Sequence, residues 1–306
     1  MAGILVLEQS LNGLQFGLML FLLAAGLTLV FGIMDMINLA HGSLYMVGAY
    51  LIASVTQASG SFWLGLLGGM AGTVVLGALL EFTVLRRLYQ RDHLSQVLGT
   101  FAILLMSNEA VRMVWGSQPV SLNPPAALAG PVDLLPGFSY PAYRLFIIAV
   151  GLIAAALMYL LVTQTRLGMQ VRAGASNREM AQAMGVDVRR LFSIVFACGA
   201  ALCALAGGML GPLLAVQVGM GESILILAFV VIVIGGIGSI RGALIGALLV
   251  GLVDTMGRTM IPVLFTKLMP PDLAAIAAPA VASILIYVLM AAVLFFKPRG
   301  LFPTHG

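Results

Sequence analysis

Charge is scarce in this chain. Only 8% of its residues are charged and 61% are hydrophobic, with a mean hydropathy of +1.10. A soluble domain carries about a quarter charged residues, so a soluble fold is excluded. Lysine occurs only at Lys267 and Lys297, and neither sits in the Gly-Lys-[Ser/Thr] context that cradles phosphates, so the chain has no P-loop of its own. Cysteine is limited to Cys198 and Cys203 in one apolar segment, without metal-ligand spacing, and both read as packing residues rather than a disulfide. No basic residue precedes Arg86, so the basic start of a cleavable signal peptide is missing and none is expected. His-Glu-x-x-His, Gly-x-Ser-x-Gly and a paired intramembrane aspartate motif are all missing, which leaves an enzyme reading nothing to rest on.

What is present is length of apolar sequence. Runs able to cross roughly 30 Å of hydrocarbon fall near 11–33, 62–85, 94–115, 142–163, 191–214, 242–262 and 276–296, with two Gly-rich and less regular ones near 37–58 and 222–238. Unbroken runs of this kind predict an all-α polytopic membrane protein, not a barrel. Residues 1–306 read as one transmembrane domain. The net charge of +4 comes from cations scattered among loops, a positive-inside pattern rather than a nucleic-acid patch. Arg86, Arg87, Arg91, the 166–190 segment and Lys297/Arg299 are expected in the cytoplasm, and the Pro-rich 116–141 connection outside. Counting crossings gives nine segments, with the N-terminus outside and the C-terminus inside. That count changes if 37–58 is re-entrant or 222–238 is broken, since broken helices in transporters meet near the midplane. Gly42–Ala49 and Gly242–Ala247 both place small residues along a helix face. Either an internal repeat or simple close packing accounts for the likeness.

Three polar constellations interrupt the apolar sequence. In 166–190, five of the fifteen Lys/Arg residues (Arg166, Arg172, Arg178, Arg189, Arg190) surround Ser176-Asn177-Arg178-Glu179. That tetrad reads as a capping box, with Ser176 as N-cap and Glu179 reaching back. Met180, Ala181, Ala183 and Met184 then form an apolar face, and Gly185 stops the helix. A short amphipathic helix on the cytoplasmic side docks a partner. The second constellation, Asp35, Asn38, His41 and Ser43, places polar groups between apolar runs. They either line a solute pathway or form an interfacial turn in which Asn38 caps the next helix and His41 bonds a carbonyl. The third, Gly235-Gly236-Ile237-Gly238-Ser239, is an irregular link between helices. Asp254/Arg258 and Glu109/Arg112 are spaced to pair along helix faces, and Glu222 suits a helix start.

The segments Ile37-Asn38-Leu39-Ala40-His41-Gly42, Met46-Val47-Gly48-Ala49-Tyr50, Gly168-Met169 with Arg172-Ala173, Glu179-Met180-Ala181, Met184-Gly185-Val186, Gly235-Gly236-Ile237-Gly238-Ser239 and Pro298-Arg299-Gly300-Leu301-Phe302 occur in one order along nearly the whole chain. In them the chain resembles the smaller permease type of bacterial ATP-binding cassette importers for branched-chain amino acids. The resemblance implies a permease in the inner membrane, moving branched-chain or other hydrophobic amino acids, or related small solutes, by alternating access. It implies two cytoplasmic ATPases holding ATP and Mg, a second homologous permease, a periplasmic binding protein, and no cofactor on this chain. Ser176, Glu179, Met180, Ala181, Met184 and Gly185 would couple to the ATPase; Asn38, His41, Gly42, Gly235, Gly236, Gly238 and Ser239 would belong to the pathway. Asp35, Ser43 and Arg241 depart from the usual pattern, where Gly, an acid and Pro are common, which weakens any pathway role for those three. The competing expectation is an ion-coupled secondary transporter or channel, for which the capped helix would have no use.

Overall fold

The computed structural model describes residues 2–34, 36 and 38–302; Asp35 lies outside them. The bundle consists of α1 (Ala2–Met34), α2 (Ala40–Ser59), α3 (Phe62–Leu88), α4 (His93–Trp115), α5 (Ala142–Gln164), α6 (Arg166–Ser176), α7 (Arg178–Ala183), α8 (Val188–Leu214), α9 (Met220–Gly235), α10 (Ile240–Leu268) and α11 (Pro271–Phe296). Seven of these (α1, α3, α4, α5, α8, α10 and α11) are long and apolar enough to cross a membrane. They coincide with the seven regular segments expected from the sequence.

The centre is α1. Its residues Leu18–Ala25 are buried on every side, as an all-round apolar helix requires. It crosses α10 where a Cβ on Gly251 would come within 2.5 Å of the Gly17 backbone, so the two helices touch main chain to main chain. Helices α4 and α11 lie at the periphery, with apolar side chains such as Leu98, Met113, Ile276 and Val288 exposed as a lipid-facing surface would be. One end of the bundle gathers the arginine-bearing links around 86–92, 165–187 and 236–241 with the tail at 297–302. The other end carries a two-stranded hairpin, β1 (Pro131–Leu135) and β2 (Phe138–Pro141), with Val132 opposite Tyr140. The Pro-rich composition of 116–141 concealed these strands; proline sits only at their edge positions, where no ladder donor is needed.

The two irregular segments form helices that start inside the bundle. His41 at the head of α2 packs against Gly26 and against Gly199, which stands eleven residues into α8, about 17 Å from that helix's start. From there α2 runs to the hairpin end, where Ser54 accepts from the Trp115 indole at 2.6 Å. Helix α9 starts at the same level and runs the opposite way, to Gly235 against Gly242. The heads of α2 and α9 meet at Gly42 and Gly221. At sixteen residues, α9 spans only about 24 Å, less than a full hydrocarbon layer. The close partner of Gly42 is therefore Gly221, and the partner of Gly242 is Gly235; the small residues of both stretches serve close packing.

Candidate coupling and translocation sites

At the arginine-rich end, α6 and α7 form an elbow. Ser176 is the last residue of α6, so the expected cap is displaced by one position: Asn177, extended at φ −155°, is the N-cap of α7 and its Oδ1 accepts from the Met180 N–H at 2.9 Å. The reason is that the Asn177 N–H already closes α6 on the Ala173 carbonyl, which leaves Asn177 as the hinge between the helices. Glu179 stands exposed in the first turn, where the helix dipole favours an acid. Gly185, at φ +87°, ends the helix. Its N–H reaches Gln182 O, and the Val186 N–H reaches Ala181 O, closing the Schellman pattern. Ala181 is the buried residue of α7. Met180 and Met184, one turn apart, are 60% and 79% exposed. Two apolar side chains held outward by a capped, stopped helix form a ready contact surface for a partner. A Gly185→Ala variant meets no atom within 4 Å, so its cost is conformational alone, roughly 1–2 kcal/mol. The expected result is about tenfold faster amide exchange over residues 180–186, read by mass spectrometry.

The elbow rests on a buried ionic knot that no motif announced. Glu81 is 1% exposed; its carboxylate accepts from Arg86 Nε at 3.1 Å, Ser193 Oγ at 2.9 Å and Tyr89 OH at 3.4 Å. Arg86 also donates to Ser193 Oγ at 2.8 Å. On a regular α-helix, side chains five apart point about 140° away from each other. Residues Glu81–Leu85 are instead wound as a π-helix, which brings Arg86 round to Glu81. Burial and the adjacent carboxylate push the Tyr89 hydroxyl above the usual phenol range, so it stays a donor. Beside the knot, the Arg178 guanidinium of α7 lies 4.7 Å from the ring centre of Phe192, whose edge meets Tyr89. These groups and Arg189 line a cleft of about 180 Å³. The readable signal was a lone glutamate inside an apolar span.

The head of α2 collects the expected polar residues. Asn38 is fully buried and its Oδ1 accepts from the Ala40 N–H at 3.1 Å, closing a turn just before α2, whose N-cap is Leu39 rather than the anticipated Asn38. His41 is also fully buried. Its two ring nitrogens, Asn38 Nδ2 and Ser43 Oγ have no hydrogen-bond partner among the described residues, so the expected bond from His41 to a carbonyl is not made. Gly42 touches Gly221. The second glycine cluster sits at the arginine-rich end. Gly236 and Gly238 turn the chain, and Ser239 Oγ caps α10 by accepting from the Gly242 N–H at 3.0 Å. Over this turn the tail folds back, with the Leu301 and Phe302 N–H groups donating to the Ile234 and Gly235 carbonyls. The cleft just described and the groove below are lined by other residues.

A groove of about 510 Å³ opens in the half nearer the hairpin. On its polar side are Gln9, Asn12 and Gln15 of α1, Arg144 at the start of α5, and Asp254 and Arg258 of α10. Phe16, Leu210, Leu213, Leu214 and Leu227 form its apolar wall. Asp254 pairs with Arg258 at 2.8 Å, the helix-face pair expected from their spacing. Arg144 and Tyr140 both donate to Asn12 Oδ1. Glu109 and Arg112 pair at 3.0 Å on an exposed face, and Glu222 accepts from Asn108. Cys198 and Cys203 are free thiols, and no group of three or more metal-ligating side chains occurs among the described residues.

Comparison with known proteins agrees with this architecture. The family described as "Branched-chain amino acid transport system / permease component" matches residues 9–294. The high-affinity branched-chain amino acid transport system permease protein LivH of Escherichia coli K12 is 30% identical over 270 residues, 82% of this chain and 85% of its own. BraD of Pseudomonas aeruginosa, a permease protein of the same description, is 30% identical over 265 residues, 82% of this chain and 86% of its own. The fructose import permease protein FrcC of Rhizobium meliloti is 32% identical over a shorter stretch, 37% of this chain and 33% of its own. With nearly its whole length matched and its helices placed as the segments required, this chain belongs to the branched-chain amino acid transport permease family.

Proposed function

We propose that this permease carries branched-chain or other aliphatic amino acids into the cytoplasm, driven by ATP hydrolysed on separate subunits. The observation that carries this reading is α7: a capped helix that holds Met180 and Met184 outward where the bundle is most cationic. Eleven of the fifteen Lys/Arg residues lie at that end, which supports placing it, with the C-terminus, in the cytoplasm. Two ATPase subunits carrying ATP and Mg would receive α7, a periplasmic binding protein would deliver solute at the hairpin end, and a second, homologous permease would complete the assembly. In this reading Asn177, Ala181 and Gly185 fix the pose of α7, while Met180 and Met184 make the contact.

The outer groove and the tight α2–α9 crossing support the reading of a carrier open outward and shut inward. Asn38, His41 and Gly42 would form the inner closure, and the Gly235–Ser239 turn would let α9 and α10 shift when α7 is pushed. The polar groups sealed at the head of α2 would then meet water and solute only as the crossing opens.

Met180→Asp and Met184→Asp place a charge on the contact surface without touching the fold, since both side chains face outward. The expected result is loss of ATPase subunits on co-purification, while the permease still inserts and keeps its melting temperature. Undiminished co-purification would exclude α7 as the docking element. Uptake driven by a proton gradient in vesicles without ATPase subunits would favour a secondary transporter.

A further inference from the structure

The geometry points to the outer groove as a binding site for a zwitterion with an aliphatic side chain, held by two arginines, one aspartate and a leucine wall. This inference rests on the proposed import of amino acids and gives that reading a site in the permease itself. Placing an arginine in hydrocarbon costs about 2.5–3.5 kcal/mol even on the lenient scale. Arg258, nineteenth of the 29 residues of α10 and more than half exposed, turns this cost aside by lining the groove, where it pairs with Asp254. Arg144, in the first turn of α5, lines the same groove and donates to Asn12 Oδ1. Asp254 is all but buried beneath Arg258, with its carboxylate at the groove's edge.

The arrangement has three parts that correspond to the three parts of an aliphatic amino acid. Arg144 and Arg258 offer guanidinium donors for a carboxylate. Asp254 offers the acceptor that an ammonium needs, with the buried Gln15 amide alongside. In the same lining Leu210, Leu214, Leu227 and Phe16 offer a surface for a branched side chain. A volume of about 510 Å³ lies within the usual range for small-molecule sites. The charges in the groove sum to +1, so a zwitterion leaves the balance unchanged. A carboxylate without an ammonium cancels the excess but makes no use of the Asp254 carboxylate as an acceptor, and an amine without a carboxylate adds to the positive excess. Because the arginines already have intramolecular partners in Asn12 and Asp254, a solute gains only the difference between those bonds and its own. Binding is therefore weak, in the millimolar range, as suits a site that must release what it takes.

The test is thiol protection in the full complex, reconstituted without ATP and without binding protein. In a Cys198→Ala/Cys203→Ala background, Thr259→Cys in the groove lining is labelled with a membrane-impermeant maleimide. Leucine should slow labelling about threefold at twice its dissociation constant, whereas isocaproate and isoamylamine, each lacking one charged group, should not. Arg144→Gln and Asp254→Asn should each remove the protection. Leu227→Trp, which fills the apolar wall and touches no charge, should remove it too and keeps the test open if a charge variant folds poorly. Equal protection by all three compounds, none by leucine, or protection that survives Arg144→Gln, Asp254→Asn and Leu227→Trp would overturn the assignment. ATP-driven leucine uptake, measured separately with the binding protein added, tests the reading beneath it. Uptake without protection sinks the site alone, and protection without uptake sinks the ATP-driven reading alone.

Discussion

A Gly42→Ala variant is expected to reach the membrane but to lose the closed centre of the bundle. The added Cβ would sit 2.5 Å from the Gly221 carbonyl oxygen and 3.2 Å from Leu225 Cβ. The first of these is main chain, so no rotamer change relieves it and α2 and α9 must move apart. Overpacking a core by one carbon costs about 1–3 kcal/mol when side chains can adjust, and a backbone clash belongs at the top of that range. Separation also brings water to Asn38 and His41. We expect the melting temperature in detergent to fall by roughly 5–10 °C, with uptake lost at growth temperature. Gly221→Ala, whose Cβ would come within 2.2 Å of Gly42 O, should do the same. Combining the two should cost less than their sum, because one separation serves both. Gly130→Ala, with nothing within 4 Å, is the control. Melting temperatures of Gly42→Ala and Gly221→Ala equal to that control would show that the crossing is loose.

Breaking the ionic knot should be equally visible and differ in kind. Glu81→Ala removes the acceptor shared by Arg86, Ser193 and Tyr89. Losing one member of a fully buried pair costs about 3–5 kcal/mol, but about a third of the Arg86 side chain reaches solvent, which lowers the expected cost to about 2–3 kcal/mol. The knot ties α3 to α8, and Arg178 of α7 rests on Phe192, one residue before Ser193. This contact links α7 to the knot, and under the proposed coupling role it is a route by which motion of α7 would enter the bundle. ATP hydrolysis by the assembled complex is expected to continue in Glu81→Gln while solute uptake per ATP falls severalfold. A Glu81→Gln complex with unchanged uptake per ATP would place the transmission route elsewhere.

Much of this fold was legible because hydrophobic length is a strong signal. The seven regular spans, the stop at Gly185 and the Asp254–Arg258 pair follow from local spacing alone. What local pattern could not supply is depth. Nothing in Ala40–Ser59 states that its first turn lies about 17 Å inside the bundle; that is decided by Gly26, Gly199 and Gly221, far away in sequence. The cap shifted from Ser176 to Asn177 for a related reason. Both residues are good caps, and the choice fell to Asn177 because α6 ends there. The groove was missed because its charges come from α1, α5 and α10, each carrying only one or two polar residues that read singly as ion pairs or helix ends.

The backward fold of Leu301 and Phe302 bears on how this protein is made. The last turn of α9 has two carbonyls, Ile234 and Gly235, whose donors, Leu301 and Phe302, are translated only after α11. Synthesis proceeds from the N-terminus, so these groups wait for partners through the whole of α10 and α11. The α9–α10 turn is thus completed only after α10 and α11 have been made. A truncation after Arg299 should leave every helix inserted but this corner, with its two carbonyls unpaired, open to protease.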